Sequence, residues 1–568
     1  MYFLALATDY DGTLAHDGVV MAETCRSLAR LKASGRRLIL VTGRELPDLV
    51  RIFPETAMFD RVVAENGALL FDPETGLEQL LAPPPPARFV QRLRELGVGP
   101  ISVGRGIVAT WEPHQGVVLQ AIRELGLELQ IVFNKGAIMI LPAGINKASG
   151  LRAALRELDI SRHNVVAVGD AENDHALLAA SGCGAAVANA VASVKEEADV
   201  VLAADHGAGV VELIDRILAE DAAIAPPGRR GIRIGSDRQG SEVVIAPACG
   251  GVLITGRSGS GKSCLATALT ERMAERQFEF CVIDPEGDYI DLEHAVFIGT
   301  LRAPPPAAEA LKLLRDDAVN LVVNTQALPL CERRSLVVAM LAQIARLRAR
   351  TGRPHWLLID EAHQVLPAGT DEDGPGESFD TAASVLVTAY PEAVSPRVMQ
   401  SIQAVLLVGG HDSDMMAGLA RALGVPVPEG IPACGPDEVL FWQPRSAEPA
   451  ACIEVVSPVQ VHRRHRGKYA VGDVGADRSF YFRGSLEAMN QPARNLYRFV
   501  DIAAEVDDPV WEHHLRAGDY SAWFRHVIRD EDLALEAKRV EEDRTLAPQE
   551  SRRRIRKAIW RRYAAPAD

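Results

Sequence analysis

The chain has 568 residues, 48% of them hydrophobic and 24% charged, with a formal net charge of -15. That is material for about three or four ordinary domains, with cores that need no metal or disulfide staple, and the acidic balance argues against a nucleic-acid surface spread over the whole protein. Eight cysteines without a C-x-x-C pair argue against zinc and against a disulfide framework, so reduced thiols are expected. MYFLALATDYDG lacks a secretory leader pattern, and no apolar run approaches the ~20 residues of a membrane span. A cytoplasmic location is expected.

From the start to about residue 220, short apolar runs alternate with amphipathic stretches. YFLALATD, RLILVTG, RVVAENGALL, NVVAVGD, CGAAVAN and ADVVLAA read as buried strands, while MAETCRSLARLKASG, NKASGLRAALRELD and DHALLAASG read as helices. This alternation predicts a mainly parallel sheet with helices on both faces. An insert over about 83–144, opening APPPPARFVQRLRELG, reads as a small α+β lid. DAAIAPPGRRG then breaks the pattern as a Pro/Gly linker, placed at 223–235. GIRIGSDRQGSEVVIAP reads as a β-hairpin leading to the strand GGVLITG, and a second α/β block follows over 236–445. The remainder, 446–568, starts with strand-like segments and becomes helical and charged.

The first strand ends in Asp9-Tyr10-Asp11-Gly12-Thr13, which puts two carboxylates at the carboxyl end of a parallel strand, where such sheets bind ligands. One can attack phosphorus while the other donates and recovers a proton. Thr42 ends a second strand, Lys147 enters a helix, and Asp170, Asn173 and Asp174 follow a third strand. In this order the motifs resemble the haloacid-dehalogenase (HAD) phosphatases, specifically the Cof-like, subfamily-IIB branch, with VAENGALL and CGAAVANAVASVKEEADVV matching as well. The resemblance implies Asp9 as nucleophile and Asp11 as general acid/base. It implies Thr42 and Lys147 as holders of the phosphoryl group, and Mg²⁺ on Asp9, the Asp11 carbonyl and Asp170, supported by Asp174. It also implies a small phosphorylated substrate, such as a sugar phosphate or phosphoglycolate, chosen by the lid. Glu65, Asn66, Arg105 and Lys135 are candidates there, a surface charge being the alternative for the two cations.

GRSGSGKS, residues 256–263, lies between an apolar strand and a helical pattern. Gly256, Gly259 and Gly261 let backbone N–H groups converge on phosphate, Lys262 reaches the terminal phosphates, and Ser263 is a magnesium ligand. RPHWLLIDEAHQVLP supplies Asp360 for the magnesium shell and Glu361 to polarise water, which favours ATP hydrolysis over transfer. A third strand ends in FCVIDPEGDY. With the phosphate loop, this resembles HerA/FtsK-like ATPases, the HerA side in particular. That implies Asp284 and Asp288 as acids at the edge of the nucleotide site, with a capped turn as the structural alternative. Thr388-Ala389-Tyr390-Pro391 stands where such motors carry Thr-Gln, and GTDEDGPGESFD is acidic where DNA-pumping relatives are basic.

In the tail, VHRRHRGKYA offers a contact for nucleotide, an acidic partner or nucleic acid, or a solvated loop. SRRRIRKAIWRRY reads as a basic helix with Ile555, Ile559 and Tyr563 on its apolar side. Trp511, Tyr520, Trp523 and Phe524 read as helical core. The fold class is therefore α/β: a HAD-type Rossmannoid domain over 1–222 with a small α+β cap, a P-loop NTPase α/β domain, then a mostly helical tail. The expected cofactors are Mg²⁺ and ATP. The expected function is a metabolite phosphatase regulated or assembled by an ATPase; a nucleic-acid translocase and a nucleotide-sensing scaffold are the alternatives. A homo-oligomeric ring is compatible with an arginine supplied in trans, Arg397 being the candidate. Neither nucleic acid nor a membrane is an expected partner.

Overall fold

The computed structural model describes residues 1–226, 228, 231–247, 250–257, 260–289, 292–300, 302–316, 319–368, 383–435, 438–458, 469, 479–483, 491–528 and 530–563. The chain forms two compact units: Met1–Val282 with Ala307–Leu321 and Leu330–Pro458, and Ile283–Pro306 with Val322–Pro329 and Val459–Asp568.

The first unit opens with strand β1 (Ala5–Thr8), helix α1 (Ala22–Ala33), β2 (Arg37–Val41), α2 (Leu46–Ile52), β3 (Arg61–Ala64), β4 (Leu69–Asp72) and β5 (Leu77–Leu80). A lid follows: α3 (Ala87–Glu95), β6 (Ser102–Val103), β7 (Val108–Trp111), α4 (Gln115–Leu125), β8 (Leu129–Asn134) and β9 (Ala137–Pro142). The chain then returns through α5 (Lys147–Leu158), β10 (Val165–Gly169), α6 (His175–Ala180), β11 (Cys183–Ala186), α7 (Ala192–Glu197), β12 (Val200–Val201) and α8 (His206–Glu220). The eight strands outside the lid lie in the order β12-β11-β10-β1-β2-β3-β4-β5.

β10, β1, β2 and β3 run parallel, and their Val/Ile/Leu side chains are buried on both faces, as expected of strands sandwiched between helices. The ends of β1, β2 and β10 therefore deliver Asp9, Thr42 and Asp170 to one edge of the sheet. RVVAENGALL, read from sequence as one strand, is two. Glu65 and Asn66 adopt φ of 52° and 54°, Gly67 follows at 102°, and the chain doubles back as β4, antiparallel to β3. Gly67 also lies so close to the start of α5 that an added Cβ would sit 2.0 Å from the Asn146 carbonyl oxygen. In the lid, the sheet β6-β7-β9-β8 packs on α3 and α4 through Phe89, Leu93, Val118, Ile138 and Ile140.

The rest of the first unit is built on a second mixed sheet. Strand Gly251–Thr255 pairs in parallel with Ser384–Thr388 on one side and Ile402–Val408 on the other, and Ser384–Thr388 pairs with Trp356–Ile359. Ile402–Val408 continues antiparallel to Glu438–Trp442, then Ala451–Val455, then the hairpin Ile232–Asp237/Glu242–Ile245. Cys434 and Cys452 form a disulfide in this region, with Cα atoms 5.5 Å apart, which corrects the expectation of reduced thiols. The antiparallel return of Ala451–Val455 along Glu438–Trp442 brings together two cysteines 18 residues apart, a proximity that linear spacing does not reveal. The other described cysteines, Cys25, Cys183, Cys264, Cys281 and Cys331, are free.

In the second unit, helices Leu496–Glu505, Asp508–Ala517, Asp519–Trp523, Glu531–Glu542 and Pro548–Tyr563 surround an aromatic core containing Trp511, Tyr520, Trp523 and Phe524. Ile555, Ile559 and Tyr563 are buried on one side of the last helix. Of VHRRHRGKYA only Tyr469 lies within the described residues, and GTDEDGPGESFD lies outside them. Among the described residues, no helix is long and apolar enough to cross a membrane.

Gly67→Ala meets both a left-handed φ and a backbone oxygen, so it is expected to destabilise the domain by about 2 kcal/mol or more. Calorimetry would register this as an earlier melting transition, and an unshifted transition contradicts the packing described.

Candidate functional site

Helix α5 begins at Lys147 because Asn146 and Ser149 form a reciprocal capping box: Ser149 N–H donates to Asn146 Oδ1 and Asn146 N–H to Ser149 Oγ, both at 2.9 Å. That cap fixes the first helical residue below the ends of β1 and β10. The Lys147 side chain is 1% exposed, and its Nζ donates to Asp9 Oδ1 at 2.7 Å and Asp174 Oδ1 at 2.6 Å. The other oxygen of Asp174 accepts the N–H groups of Asp170 and Ala171, both at 3.0 Å. Asp170 in turn accepts from Thr13 Oγ1 at 2.9 Å and from Lys135 Nζ at 2.5 Å. Lys135 comes from the β8–β9 turn, so the lid contributes a cation to the sheet edge.

Carboxylate oxygens of Asp9, Asp170 and Asp174 lie within 4.8 Å of one another, and all three residues are buried. Burial pushes the Asp9 carboxyl well above the usual range; Lys147 opposes the shift, while Asp174 and Asp170 add to it. Lys147 holds its proton above the ordinary lysine range despite its burial, because Asp174 and Asp9 flank it. Three carboxylates thus face two ammonium groups. This all-oxygen, net-negative donor set fits a hard divalent cation such as Mg²⁺.

Asp11 sits at the rim, gripped by the Arg44 fork through Nε at 2.7 Å and Nη2 at 2.6 Å, with Arg44 also reaching Asp48 at 2.7 Å. Thr42 is fully buried, and its Oγ1 accepts the Arg44 N–H at 3.1 Å. Asn173 donates to Asn66 at 3.0 Å. Glu65, also fully buried, accepts the lid N–H groups of Arg105 and Gly106 at 3.1 and 2.6 Å. The Arg105 side chain turns outward to pair with Glu78. Arg44 was missed in the sequence reading, although it stands two residues beyond Thr42 in the same T-G-R run.

At the second candidate site, Gly256 (φ 143°) and Gly261 (φ 109°) flank a loop whose lysine, Lys262, opens helix Lys262–Glu275. Lys262 Nζ donates to the carbonyls of Gly256 at 3.1 Å and Arg257 at 3.0 Å, so the loop folds over its own lysine. Ser263, the next residue of this helix, is partly buried. Gly259 lies outside the described residues. Asp360 is buried at the end of Trp356–Ile359 and accepts the Glu361 N–H at 2.9 Å; Glu361 adopts a left-handed φ of 43°. His363 Nδ1 lies 3.3 Å from a Glu361 oxygen and 3.1 Å from Thr388 Oγ1. Thr388 is in register with Thr255, at the base of the phosphate loop. The D-E-A-H spacing was the available signal for His363. Arg397 is exposed on the short helix Pro396–Gln400.

Asp284 belongs to the second unit. Its carboxylate accepts four backbone N–H groups, from Glu286, Gly287, Asp288 and Tyr289, at 2.7–3.3 Å. Burial and the neighbouring Asp288 push its carboxyl to about 6, against the pull of those donors. It caps the D-P-E-G-D-Y loop.

Residues 6–89 and 120–214 match the haloacid dehalogenase-like hydrolases, and residues 247–393 match an AAA domain. Phosphoglycolate phosphatase 2 of Saccharolobus solfataricus is 31% identical over 224 residues, which are 38% of this chain and 93% of that protein. The phosphoglycolate phosphatase of Methanothermobacter thermautotrophicus is 32% identical over 227 residues, 38% of this chain and 98% of that protein. The chain belongs to the haloacid dehalogenase-like hydrolase family. A solved family structure from Bacteroides thetaiotaomicron aligns with a TM-score of 0.34 and 20% identity, covering 38% of this chain and 99% of that one. This haloacid dehalogenase-like protein is thus a hydrolase that also carries an AAA-type P-loop domain.

Lys147→Met removes the shared partner of two buried carboxylates, so at pH 7 the variant is expected to lose roughly 3 kcal/mol. Asp9 is raised in the folded state, and more so without the lysine. Stability is therefore fully present below the ordinary carboxylate value, near pH 4, and is lost as pH rises. Denaturant melts at pH 4 and 7 should show the deficit growing with pH; a pH-independent deficit contradicts this assignment.

Proposed function

We propose that the N-terminal domain is a Mg²⁺-dependent phosphatase for a small phosphorylated metabolite, of the phosphoglycolate or sugar-phosphate class, working through an aspartyl-phosphate. The observation that carries this reading is the convergence of Asp9, Asp170, Asp174 and Lys147 at the ends of parallel strands, beneath a lid that adds Lys135. The likeness to phosphoglycolate phosphatases over nearly their whole length supports the substrate class.

In this reading Asp9 attacks phosphorus as a carboxylate, an Asp9–phosphorus bond forms, and the bond to the leaving oxygen breaks. Asp11, turned from Arg44 toward the substrate, gives that oxygen its proton. Asp11 then takes a proton from water as the water oxygen attacks the same phosphorus, releasing phosphate and restoring Asp9. Lys147 and Thr42 hold the phosphoryl oxygens throughout. Asp9, the Asp11 carbonyl and Asp170, braced by Asp174, are the residues that would hold Mg²⁺, which neutralises phosphoryl charge when bound.

For the downstream domain we propose ATP binding at 256–263, with Ser263 and Asp360 as the magnesium side and Glu361 polarising water, assisted by His363. Its assignment to the HerA-like branch rests on D-P-E-G-D-Y. We propose that it regulates or assembles the phosphatase, and that the protein acts in the cytoplasm on soluble metabolites.

The test is phosphate release from a panel of phosphorylated metabolites with Mg²⁺, with and without ATP. Asp9→Asn is expected to lower kcat by at least about a thousandfold, and Lys262→Ala to abolish any response to ATP. Release that does not depend on Asp9 would overturn the phosphatase reading.

A further inference from the structure

Away from both candidate sites, a cavity of about 570 Å³ lies between the carboxyl end of α5 and the P-loop sheet. Its walls come from Arg152–His163 on one side, and from residues 274–279, Arg315, Asp316, Asn320 and Arg353 on the other. The junction around it is well tied. The Ser161 N–H donates to the Thr351 carbonyl at 2.9 Å, and His355 bridges Ser161 Oγ at 2.8 Å and Glu279 at 2.6 Å. Arg353, 6% exposed, pairs with Asp159, the cap of α5. The ring of His163 stacks on Phe278 at 4.2 Å. These contacts hold the cavity walls in place before any ligand arrives.

Its charge is unbalanced. Of its carboxylates, Asp159 is engaged by Arg353, and Glu279 lies beside His355, whose Nδ1 accepts the Glu279 backbone N–H at 3.0 Å. Among the described residues, the side chains of Arg152, Arg162 and Arg315 form no hydrogen bond or ion pair, and Asp316 is the remaining acid in the wall. Arg162 is partly buried; desolvation, with Arg152 beside it, lowers its proton affinity against the pull of Glu279. Withdrawing a guanidinium from water beside another without a paired acid is costly unless an anion completes the arrangement. Guanidinium forks match phosphate oxygens two at a time, and the volume is that of a small-molecule site.

We propose that this cavity binds a small polyanion carrying several phosphate groups, held by Arg152, Arg162 and Arg315, at a site distinct from both the Asp9 centre and the loop at 256–263. The ligand would touch the same segments that carry Lys147 at the far end of α5 and Asp360 at the far end of the strand after His355.

Tripolyphosphate is the probe, titrated calorimetrically without metal into full-length protein carrying Asp9→Asn and Lys262→Ala, which weakens the other two phosphate sites. One equivalent is expected to bind, and adding Arg152→Gln with Arg315→Gln, both at exposed positions, is expected to weaken it at least about tenfold. Arg162→Lys, which keeps the charge but not the fork, is expected to weaken it to a lesser degree. Arg553→Gln with Arg556→Gln, on the last helix, controls for general surface charge and should leave binding unchanged. Absence of binding, equal binding in the Arg152/Arg315 variant, or equal weakening in the control would each overturn the proposal. The outcome does not depend on whether the Asp9 centre proves to be a phosphatase.

Discussion

The N-terminal domain depends on one buried ammonium group. Lys147 is enclosed by protein, and its charge is tolerable only because Asp9 and Asp174 lie within hydrogen-bonding distance. The same contacts solve the converse problem, since two carboxylates at a sheet edge could not remain charged in that environment alone. The arrangement requires the end of β1, the end of β10 and the start of α5 to meet at one point. The capping box at Asn146 and Ser149 fixes where α5 starts, and the parallel register of β1 with β10 fixes the rest.

The two candidate sites are built by different means. The Asp9 centre gathers side-chain charge of both signs, so its geometry rests on long-range packing of strands. The loop at 256–263 relies on glycine conformations and a helix N-terminus, so its geometry is nearly local. Lys262 donates to carbonyls of its own loop, whereas Lys147 is committed to residues far away in sequence. Both lysines begin helices, which adds the positive end of the helix to their own charge.

Much of this was legible in the sequence because it is local. The strands RLILVTG, NVVAVGD and WLLID announce themselves by apolar runs ending in polar residues, and GRSGSGKS carries its spacing in one stretch. Features decided by a long-range contact or a backbone conformation are not legible in this way. RVVAENGALL is continuous by hydropathy, yet left-handed backbone at Glu65 and Asn66 splits it, and no apolar count can register a φ angle. Cys434 and Cys452 meet only because two strands return alongside each other. The grip of Arg44 on Asp11 and of Lys135 on Asp170 follows from the placement of β2 and the lid. For Asp284 the motif allowed either an acid at the edge of the nucleotide site or a capped turn, and its carboxylate accepts four N–H groups of the loop that it caps.

Glu65 has a consequence for the lid. Its carboxylate lies on the sheet side, while the N–H groups it accepts belong to the lid loop at Arg105 and Gly106. For the lid to swing away, two charge-assisted hydrogen bonds must break together, and a fully buried carboxylate must be reached by water. Bonds of this kind are worth about 1.5–3 kcal/mol each, and each ~1.4 kcal/mol is a factor of ten in rate. Glu65 therefore ties the lid loop to the sheet through its backbone rather than through a lid side chain. Residues remote from the Asp9 centre thus help to fix where the lid loop sits over the sheet.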